Sequence, residues 1–477
     1  MPLPVITIAQ MREWEKATWA TGQSEAAVMR RAGQAVAQAA RHLTQPGQRL
    51  LVLAGKGHNG DDARFAAEQL SDRDTFSLSV KDPVASRSEM VAQLARRPAL
   101  IIDGLFGIGL NRPLDAAWIN LIQEINAANL PTLAVDVPSG LNADTGEPLG
   151  DAIHATHTVT LGTIKKGLLA AGAWPFVGRL EAAPDIGLIP CPFQTELNWT
   201  QPIDFAGFPP HRAVAGHKGT HGHVAIIAGS LGYHGAAVLA ARGAQRAQPG
   251  LITLYTQDTV YPPVAAQLQS VMVQPWILDI GFAPPQSCTA LVLGPGLAAA
   301  ELPESIITTT HRLWLDSPWP VIADAAALAW LPEMACKRGA IRCLTPHPGE
   351  AAGLLHIPVS DVQANRLAAL RELSHRYGGC WVVLKGHQTL VGRETGEVFV
   401  NSSGNPHLAQ GGSGDVLAGY LGGLLAQPAL QSDAGRAIRF GVWQHGAAAD
   451  DLQRKRRNWT IEHLLDVLGN IPAWNNG

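Results

Sequence analysis

Charged residues are scarce in this chain of 477 residues: Asp, Glu, Lys and Arg make up 16% of it, whereas an average soluble protein contains roughly 25%. The formal net charge is only −3, so the chain lacks the basic excess with which proteins hold nucleic acids through counterion release. We therefore expect no nucleic-acid partner. A surface with so few charges favours buried contacts between subunits, which predicts a homo-oligomer.

Cysteine is also sparse, and long apolar runs are missing. The five cysteines are odd in number, scattered and without a CxxC pair, which argues against a disulfide framework and a zinc site. The first residues lack the basic region and apolar run of a signal peptide. The longest uncharged stretch, residues 219–241, is full of Gly, His and Ser. The sequence thus predicts a soluble cytoplasmic protein with no membrane partner.

The chain does contain short apolar runs that alternate with helical patterns. Such runs are typical of buried parallel strands in an α/β sheet. A proline-rich stretch without periodicity, residues 184–210, interrupts the pattern, and we interpret it as the connection between two domains, 1–205 and 206–477. The first helical pattern covers residues 11–43, and the apolar runs are 50–54, 99–102, 133–135, 224–227, 251–254, 291–293, 321–323, 341–344 and 381–384.

A glycine loop follows the first apolar run, and acidic loops follow the next two. The glycine loop, residues 55–62, leads into a helical pattern, so its backbone N–H groups can face an anion. Asp103 and Asp136 each end a strand beside flexible glycines, and the carboxyl ends of parallel strands meet at one edge of a sheet. The oxygen-bearing side chains of Asn59, Asp103 and Ser139 suit an alkali or alkaline-earth cation.

These residues resemble the NAD(P)H-hydrate epimerase domain, whose loops typically read GxGNNGGDG, DxLxGTG and VDxPSG. The resemblance covers about residues 6–180 and implies a Rossmann-like α/β/α domain. It also implies a potassium ion on Asn59, Asp103 and Ser139. The residues implied to contact the hydrated dinucleotide are His58, Asn59, Gly60, Asp61, Asp62, Gly107, Ile108, Gly109, Leu110, Asn111, Arg112, Pro113 and Asp136.

The same resemblance assigns acid–base work to Asp136 and Lys165. The chain departs from the family pattern at three positions of the glycine loop: His58, Asp61 and Ala63 stand where the family usually has Asn, Gly and Gly. An extra carboxylate beside a pyrophosphate is repulsive by roughly 1 kcal/mol at short range. Asp61 therefore predicts repulsion of the substrate pyrophosphate at this loop.

The most specific motif is the run GNPHLAQGGSGDV at residues 404–416, which leads into an apolar helical pattern at 416–426. Successive N–H groups of Gly412, Ser413 and Gly414 at a helix N-terminus would form an anion hole. Asp415, in the first turn, can take the proton of a hydroxyl that receives a phosphoryl group. Further glycine loops end strands at residues 229–236, 294–297, 345–350 and 385–389.

This half, over residues 211–446, resembles the ADP/ATP-dependent NAD(P)H-hydrate dehydratases of the ribokinase-like superfamily. The resemblance implies a ribokinase-like α/β/α domain that uses Mg²⁺ and takes ADP (or ATP) as co-substrate, and Glu350 is one candidate Mg²⁺ ligand. The implied hydrate contacts are Ala236, Gly296, His347 and Asp415, and the implied nucleotide contacts are Lys385, Gly386, His387, Gln388, Thr389 and Gly414.

With both halves in this order, the chain resembles bifunctional NAD(P)H-hydrate repair enzymes. The resemblance implies epimerisation of the R and S hydrates of NADH and NADPH, and ADP-dependent dehydration of the S hydrate with release of AMP and phosphate. Three alternatives stay open. A ribokinase-type small-molecule kinase would use the same GGSGD chemistry. His58 and Asp61 allow a dinucleotide sensor with a degenerate epimerase domain. Finally, residues 55–60 match GxGxxG with Asp82 further on, as in a Rossmann oxidoreductase.

Overall fold

The computed structural model describes residues 2–276, 283–299, 302–334, 336 and 339–473. The chain divides into two compact units, one of residues 3–195 and the other formed chiefly by the described residues from 196 onward. Both are α/β units. The sequence predicts the boundary at 205/206, and the division lies earlier because residues 197–199 form a strand of the second unit. None of the helices formed by the described residues is long and apolar enough to cross a bilayer.

The N-terminal unit is built around a parallel sheet in the order β3-β2-β4-β5-β6-β7. After β2 the chain adds β3 on one side of it and then β4 to β7 on the other side. The strand order therefore reverses between β2 and β4, and doubly wound sheets bind ligands in the crevice at the carboxyl ends of the strands at such a switch point. The elements are β1 (Leu3–Pro4), α1 (Ile8–Ala20), α2 (Glu25–Leu43), β2 (Arg49–Ala54), α3 (His58–Gln69), β3 (Asp74–Ser79), α4 (Pro83–Ala95), β4 (Leu100–Gly104), α5 (Ala116–Ala127), β5 (Thr132–Val135), β6 (His157–Leu161), α6 (Trp174–Val177) and β7 (Arg179–Ala183).

The helical pattern at residues 11–43 is two helices, not one. Gly22 has a φ of 85°, in the left-handed region, where a helix ends and glycine is favoured. Ser24 then caps α2, because its side chain accepts a hydrogen bond from the Ala27 N–H at 3.4 Å. The predicted helical pattern is confirmed, and this glycine and cap divide it into α1 and α2.

The C-terminal unit contains a sheet in the order β8-β17-β16-β15-β14-β13-β12-β9-β10-β11. The strands from β15 to β11 are parallel, whereas β16 pairs antiparallel with both β15 and β17. The elements are β8 (Leu197–Trp199), β9 (His223–Ile227), α7 (His234–Arg246), β10 (Leu251–Thr256), α8 (Tyr261–Ala265), β11 (Met272–Pro275), β12 (Ala290–Leu293), α9 (Glu304–Asp316), β13 (Val321–Ala323), β14 (Arg342–Leu344), α10 (Pro348–Leu355), α11 (Val359–Ala364), α12 (Arg366–Arg376), β15 (Trp381–Leu384), β16 (Leu390–Gly392), β17 (Val398–Val400), α13 (Ser413–Leu425), α14 (Pro428–Gln431), α15 (Ala434–Lys455) and α16 (Ile461–Val467).

Part of the expected linker at 184–210 is therefore structured. Strand β8 pairs in parallel with β17, with Asn198 opposite Phe399, and Trp199 is buried. A strand of three residues is too short to show a hydrophobic period, and the prolines around it are typical of a loop, so the sequence did not predict this strand. Helix α13 packs closely on α7, since a Cβ at Gly419 would lie 1.8 Å from the Ala240 carbonyl oxygen. Its N-terminus is thereby fixed at the carboxyl edge of the sheet.

Candidate active sites

The glycine loop of the N-terminal unit lies at the switch point of its sheet. Gly57 precedes α3 as its N-cap. A Cβ at Gly60 would lie 2.2 Å from the Gly55 carbonyl oxygen, and one at Gly55 would lie 2.1 Å from that of Leu105. These glycines are required because the backbones of two loops touch here.

The predicted cation ligands come together beside this loop. Ser139 donates from Oγ to Asp103 Oδ1 at 2.6 Å and from N–H to Asp103 Oδ2 at 2.8 Å. Asn59 Nδ2 donates to the Phe106 carbonyl oxygen at 2.9 Å, and Ser139 Oγ lies 3.2 Å from that same oxygen. Burial raises the pKa of the inaccessible Asp103 carboxyl to about 6. The oxygen-only donor set and the buried carboxyl fit a hard cation such as K⁺.

Asp136 and Lys165 form a buried ion pair. Lys165 Nζ donates to Asp136 Oδ1 at 2.5 Å and to the Leu161 carbonyl oxygen at 2.6 Å. The same Oδ1 accepts from Leu161 N–H at 2.9 Å and from Thr160 Oγ1 at 3.1 Å. Asp136 also has a φ of 63°, a left-handed conformation that Asp and Asn tolerate better than other side chains. The carboxylate is thus held in one orientation before any ligand binds.

A cavity of about 790 Å³ is lined by Asp136 of this pair but not by Lys165. Asp62 faces it with an Oδ1 that has no hydrogen-bond partner among the described residues. Burial, followed by the charges of Asp136, Asp61 and Glu15, raises the pKa of Asp62 to about 8, so this carboxyl is neutral at pH 7. Of the predicted dinucleotide contacts, the cavity is lined by His58, Asn59, Asp62, Gly107, Ile108, Gly109, Leu110, Arg112 and Asp136, but not by Gly60, Asp61, Asn111 or Pro113.

The departures from the epimerase pattern have local compensations. Asp61 pairs with Arg64 at 2.6 Å, and the same guanidinium donates to the Gly55 carbonyl oxygen at 2.7 Å. Ala63, on α3, fits because the residue that it packs against on β4 is Gly104. A Cβ at Gly104 would lie 2.5 Å from the Cβ of Ala63. His58 lies 3.5 Å from a carboxylate oxygen of Glu25. The repulsion predicted for Asp61 is therefore offset within its own helix.

In the C-terminal unit, the loops after β9 and β12 meet. A Cβ at Gly296, whose φ is 65°, would lie 2.7 Å from that of Ala236. Ser230 fixes this contact: its Oγ donates to the Gly296 carbonyl oxygen at 2.7 Å and accepts from Ala299 N–H at 3.0 Å. The two predicted hydrate contacts, Ala236 and Gly296, are thus neighbours.

A charged cluster occupies the ends of the next three strands. Asp324, after β13, accepts from Lys385 Nζ at 2.8 Å and from Thr345 Oγ1 at 2.7 Å. Lys385 Nζ also lies 3.7 Å from Glu350 Oε2. A Cβ at Gly414 would lie 3.3 Å from Lys385 Nζ, so the GGSGD loop borders the cluster. Burial lowers the pKa of Lys385, but the surrounding carboxylates, first Asp324, outweigh it and the net shift is upward.

Asp415 lies in the first turn of α13 beside this cluster, and among the described residues no hydrogen bond or ion pair holds its carboxylate. Burial, and next the charge of Asp324, raises the pKa of Asp415 to about 6. Gly412 is the N-cap of α13 and has a φ of 92°, a left-handed conformation that glycine adopts without steric cost. Ser413 N–H donates to the Gln410 carbonyl oxygen at 3.3 Å. One of the three predicted anion-hole amides is therefore engaged within the protein.

The predicted nucleotide loop, 385–389, is clamped by a buried arginine. Arg366, the first residue of α12, donates to the carbonyl oxygens of Leu384 and Lys385 at 3.0 and 3.1 Å and to that of His387. Burial lowers the pKa of Arg366 to about 10. His347, a predicted hydrate contact, caps α10, because its Nδ1 accepts from Gly349 N–H at 3.0 Å.

The sequence analysis missed Asp324, Arg366 and Arg64. Asp324 follows the apolar run 321–323 just as Asp103 and Asp136 follow theirs, so the same strand-end argument would have found it. Arg64 follows Asp61 by three residues on one helix, so the i,i+3 spacing of opposite charges would have found that pair. Arg366 acts on a loop that folding brings to it, which no local pattern reveals.

Fold and geometry together define a class: a two-unit α/β protein in which each half places a glycine-rich helix N-terminus beside charged groups at strand ends. Residues 224–470 match the family model described as NAD(P)H-hydrate dehydratase, and residues 25–80 and 77–167 match that of the YjeF-related protein N-terminus. The bifunctional NAD(P)H-hydrate repair enzyme of Coxiella burnetii is 34% identical over 464 residues, which cover 92% of this chain and 93% of the relative. That of Escherichia coli is 33% identical over 446 residues, covering 89% and 85%.

Among solved structures, the ADP/ATP-dependent NAD(P)H-hydrate dehydratase of Bacillus subtilis, co-crystallised with ATP and Mg²⁺, is similar with a TM-score of 0.50 and 29% identity. The match covers 57% of this chain and 96% of that one. The chain belongs to the family of bifunctional NAD(P)H-hydrate repair enzymes. This confirms the predicted family and its two-domain α/β fold with a ribokinase-like C-terminal half.

Proposed function

We propose that this chain repairs hydrated NADH and NADPH. The N-terminal unit interconverts the R and S hydrates, and the C-terminal unit dehydrates the S hydrate at the expense of ADP, releasing AMP and phosphate. The observation that carries the proposal is the Asp415 carboxylate in the first turn of α13, which lies beside Lys385 and Asp324 and has no bonded partner among the described residues. A base with a pKa of about 6 is ionised at neutral pH yet basic enough to accept a proton.

Dehydration needs a better leaving group than hydroxide. Asp415 takes the proton of the hydroxyl on the ring carbon beside the nitrogen, and the oxygen attacks the terminal phosphorus of ADP. The bond from that phosphorus to the bridging oxygen breaks, and AMP departs with the electron pair. The ring nitrogen lone pair then expels phosphate, and loss of a proton from the adjacent ring carbon restores the dihydronicotinamide.

Three groups of this chain support phosphoryl transfer. The amides of Gly412 and Gly414 at the start of α13 face developing negative charge, and Lys385 lies beside Gly414. Glu350 at the cluster edge would hold Mg²⁺ together with phosphate oxygens, as Mg²⁺ sites commonly use one or two carboxylates. When bound, Mg²⁺ neutralises phosphate charge.

For epimerisation, Asp136 and Lys165 are the proton carriers. The hydrated carbon is a carbinolamine, so it can invert by ring opening: Asp136 removes the hydroxyl proton, the carbon–nitrogen bond breaks, and the ring nitrogen gains a proton through Lys165. Rotation and reclosure give the other epimer. Asn59, Asp103 and Ser139 would hold K⁺, whose charge stabilises the buried Asp103 carboxylate.

One assay tests the proposal. The full chain is incubated with hydrated NADH, ADP and Mg²⁺, and the absorbance of the reduced nicotinamide is followed together with phosphate release. Recovery of NADH with one phosphate for each NADH supports it. A stable phosphorylated product would instead identify a kinase, and binding without turnover would identify a sensor. Replacing ADP by ATP shows which donor is preferred.

A further inference from the structure

A second cavity, of about 480 Å³, adjoins the epimerase site. It is lined by Lys56, Arg64, Ser79 and Lys81. Lys56 and Lys81 also line the 790 Å³ cavity, so the two cavities share a wall. The smaller one lies between the glycine loop and the carboxyl end of β3, the second strand of the doubly wound sheet.

The smaller cavity is strongly positive. Three of its four lining residues are cations, and one of them, Arg64, pairs with Asp61 at 2.6 Å. Asp82 is turned to its own helix, because its Oδ1 accepts from Val84 N–H at 2.8 Å and from Ala85 N–H at 2.9 Å. Among the described residues that line this cavity, Lys56 and Lys81 therefore have no acidic partner.

The arginine of this cavity is oriented in advance. Its guanidinium bonds to Asp61 and to the Gly55 carbonyl oxygen at 2.7 Å, and it reaches Ser79 Oγ at 3.4 Å. A guanidinium fixed in this way loses little conformational freedom when it binds an anion. Together with two exposed lysines and a hydroxyl donor, it suits the oxygens of a phosphate monoester.

The location indicates which phosphate. In doubly wound sheets that bind dinucleotides, the end of the second strand meets the ribose 2′ position: a carboxylate there accepts from a free hydroxyl, and basic side chains bind a 2′-phosphate. Here Asp82 caps α4 and basic side chains remain. We infer that the smaller cavity binds the 2′-phosphate of NADPH hydrate and gives the epimerase unit a lower KM for NADPH hydrate than for NADH hydrate. This inference rests on the proposed epimerase function.

Lys81→Ala in the full chain tests it, since Lys81 is exposed and its loss does not disturb the core. Epimerisation of NADPH hydrate and of NADH hydrate is measured without ADP by separating the epimers, with the spontaneous rate subtracted. The KM for NADPH hydrate should rise about tenfold, the effect of losing one charged hydrogen bond, with a much smaller change for NADH hydrate. Lys81→Arg should retain the selectivity.

Arg96→Ala is the matched control, an exposed cation of the same unit that lines neither cavity, and it should change neither KM. An equal rise for both substrates in Lys81→Ala would overturn the inference, because the pyrophosphate common to both would then be the ligand. No change for either would overturn it as well. Failure of the parent chain to epimerise either hydrate would refute the epimerase function itself, and this inference with it.

Discussion

The two sites treat their key carboxylates in opposite ways. Asp136 is pinned by a buried lysine at 2.5 Å and by Leu161 N–H at 2.9 Å. Asp415 has no hydrogen-bond or ion-pair partner in the part of the chain that the structure describes, and its neighbours Asp324 and Lys385 pair with one another instead. The key carboxylate of the epimerase site is thus already paired with a cation, whereas that of the dehydratase site is free to accept a proton from a ligand.

This difference follows from what each site must do. A site that moves protons to and from one substrate profits from a fixed pair that is already assembled. A site that must accept a proton while phosphate charge develops needs a base whose pKa is raised toward neutrality, and the burial of Asp415 together with Asp324 provides it. The same substitution, Asp to Asn, should therefore have different consequences in the two units.

Asp136→Asn should produce the largest effect because it removes both chemistry and stability. Lys165, which is fully buried, would lose its ionised partner, and breaking a buried pair costs about 3 kcal/mol or more. We expect epimerisation to fall at least about 10²-fold and the N-terminal unit to unfold at lower denaturant concentration, while ADP-dependent dehydration of the S hydrate continues. Parental stability would contradict the view that this ion pair is integral to the fold.

Asp415→Asn should slow dehydration strongly and leave the stability of the C-terminal unit unchanged. Without a general base, the dehydration rate should fall about 10²-fold or more, yet no ion pair is broken among the described residues. Nucleotide binding, measured by calorimetry, and epimerisation should remain close to parental. Wild-type-like turnover in this variant would remove Asp415 from the mechanism.

Arg366→Lys should have an intermediate effect confined to the C-terminal unit. A lysine cannot reach the carbonyl oxygens of Leu384, Lys385 and His387 together, as the guanidinium does. The KM for ADP should rise about tenfold, because the binding free energy lost with one or two such hydrogen bonds corresponds to about a tenfold change in affinity. Steady-state kinetics with varied ADP will measure it. An unchanged KM would mean that the loop holds its shape without the clamp.

The smallest effects should come from pH, in opposite directions for the two units. Dehydration kcat/KM should fall as pH drops through about 6, where the raised pKa of Asp415 lets the base protonate. Epimerisation should fall as pH rises through about 8, where Asp62 ionises beside Asp136. Rate profiles of both activities on the same preparation check this, and Asp62→Asn should flatten the alkaline limb. Parallel profiles would contradict the contrast between the sites.

Much of this architecture is predictable from sequence because strands, glycine turns and strand-end acids are local features. The apolar runs 50–54 and 321–323 correspond closely to β2 and β13, and the GGSGD motif does begin a helix. What escaped prediction depends on tertiary contact. The sequence cannot show that Arg64 also bonds to the Gly55 carbonyl oxygen or that Arg366 holds the loop 385–389, since folding supplies the partner carbonyl groups.

The left-handed backbone at Asp136 restricts which amino acids this position can hold. Among side chains that carry a negative charge, aspartate is tolerated at a φ of 63°, whereas glutamate gains no local hydrogen bond to offset the steric penalty. Retaining the charge is therefore not enough to retain the site: a glutamate would have to distort the chain to meet Lys165. Which substitutions position 136 accepts is therefore decided first by its backbone φ angle and only then by the charge of the side chain.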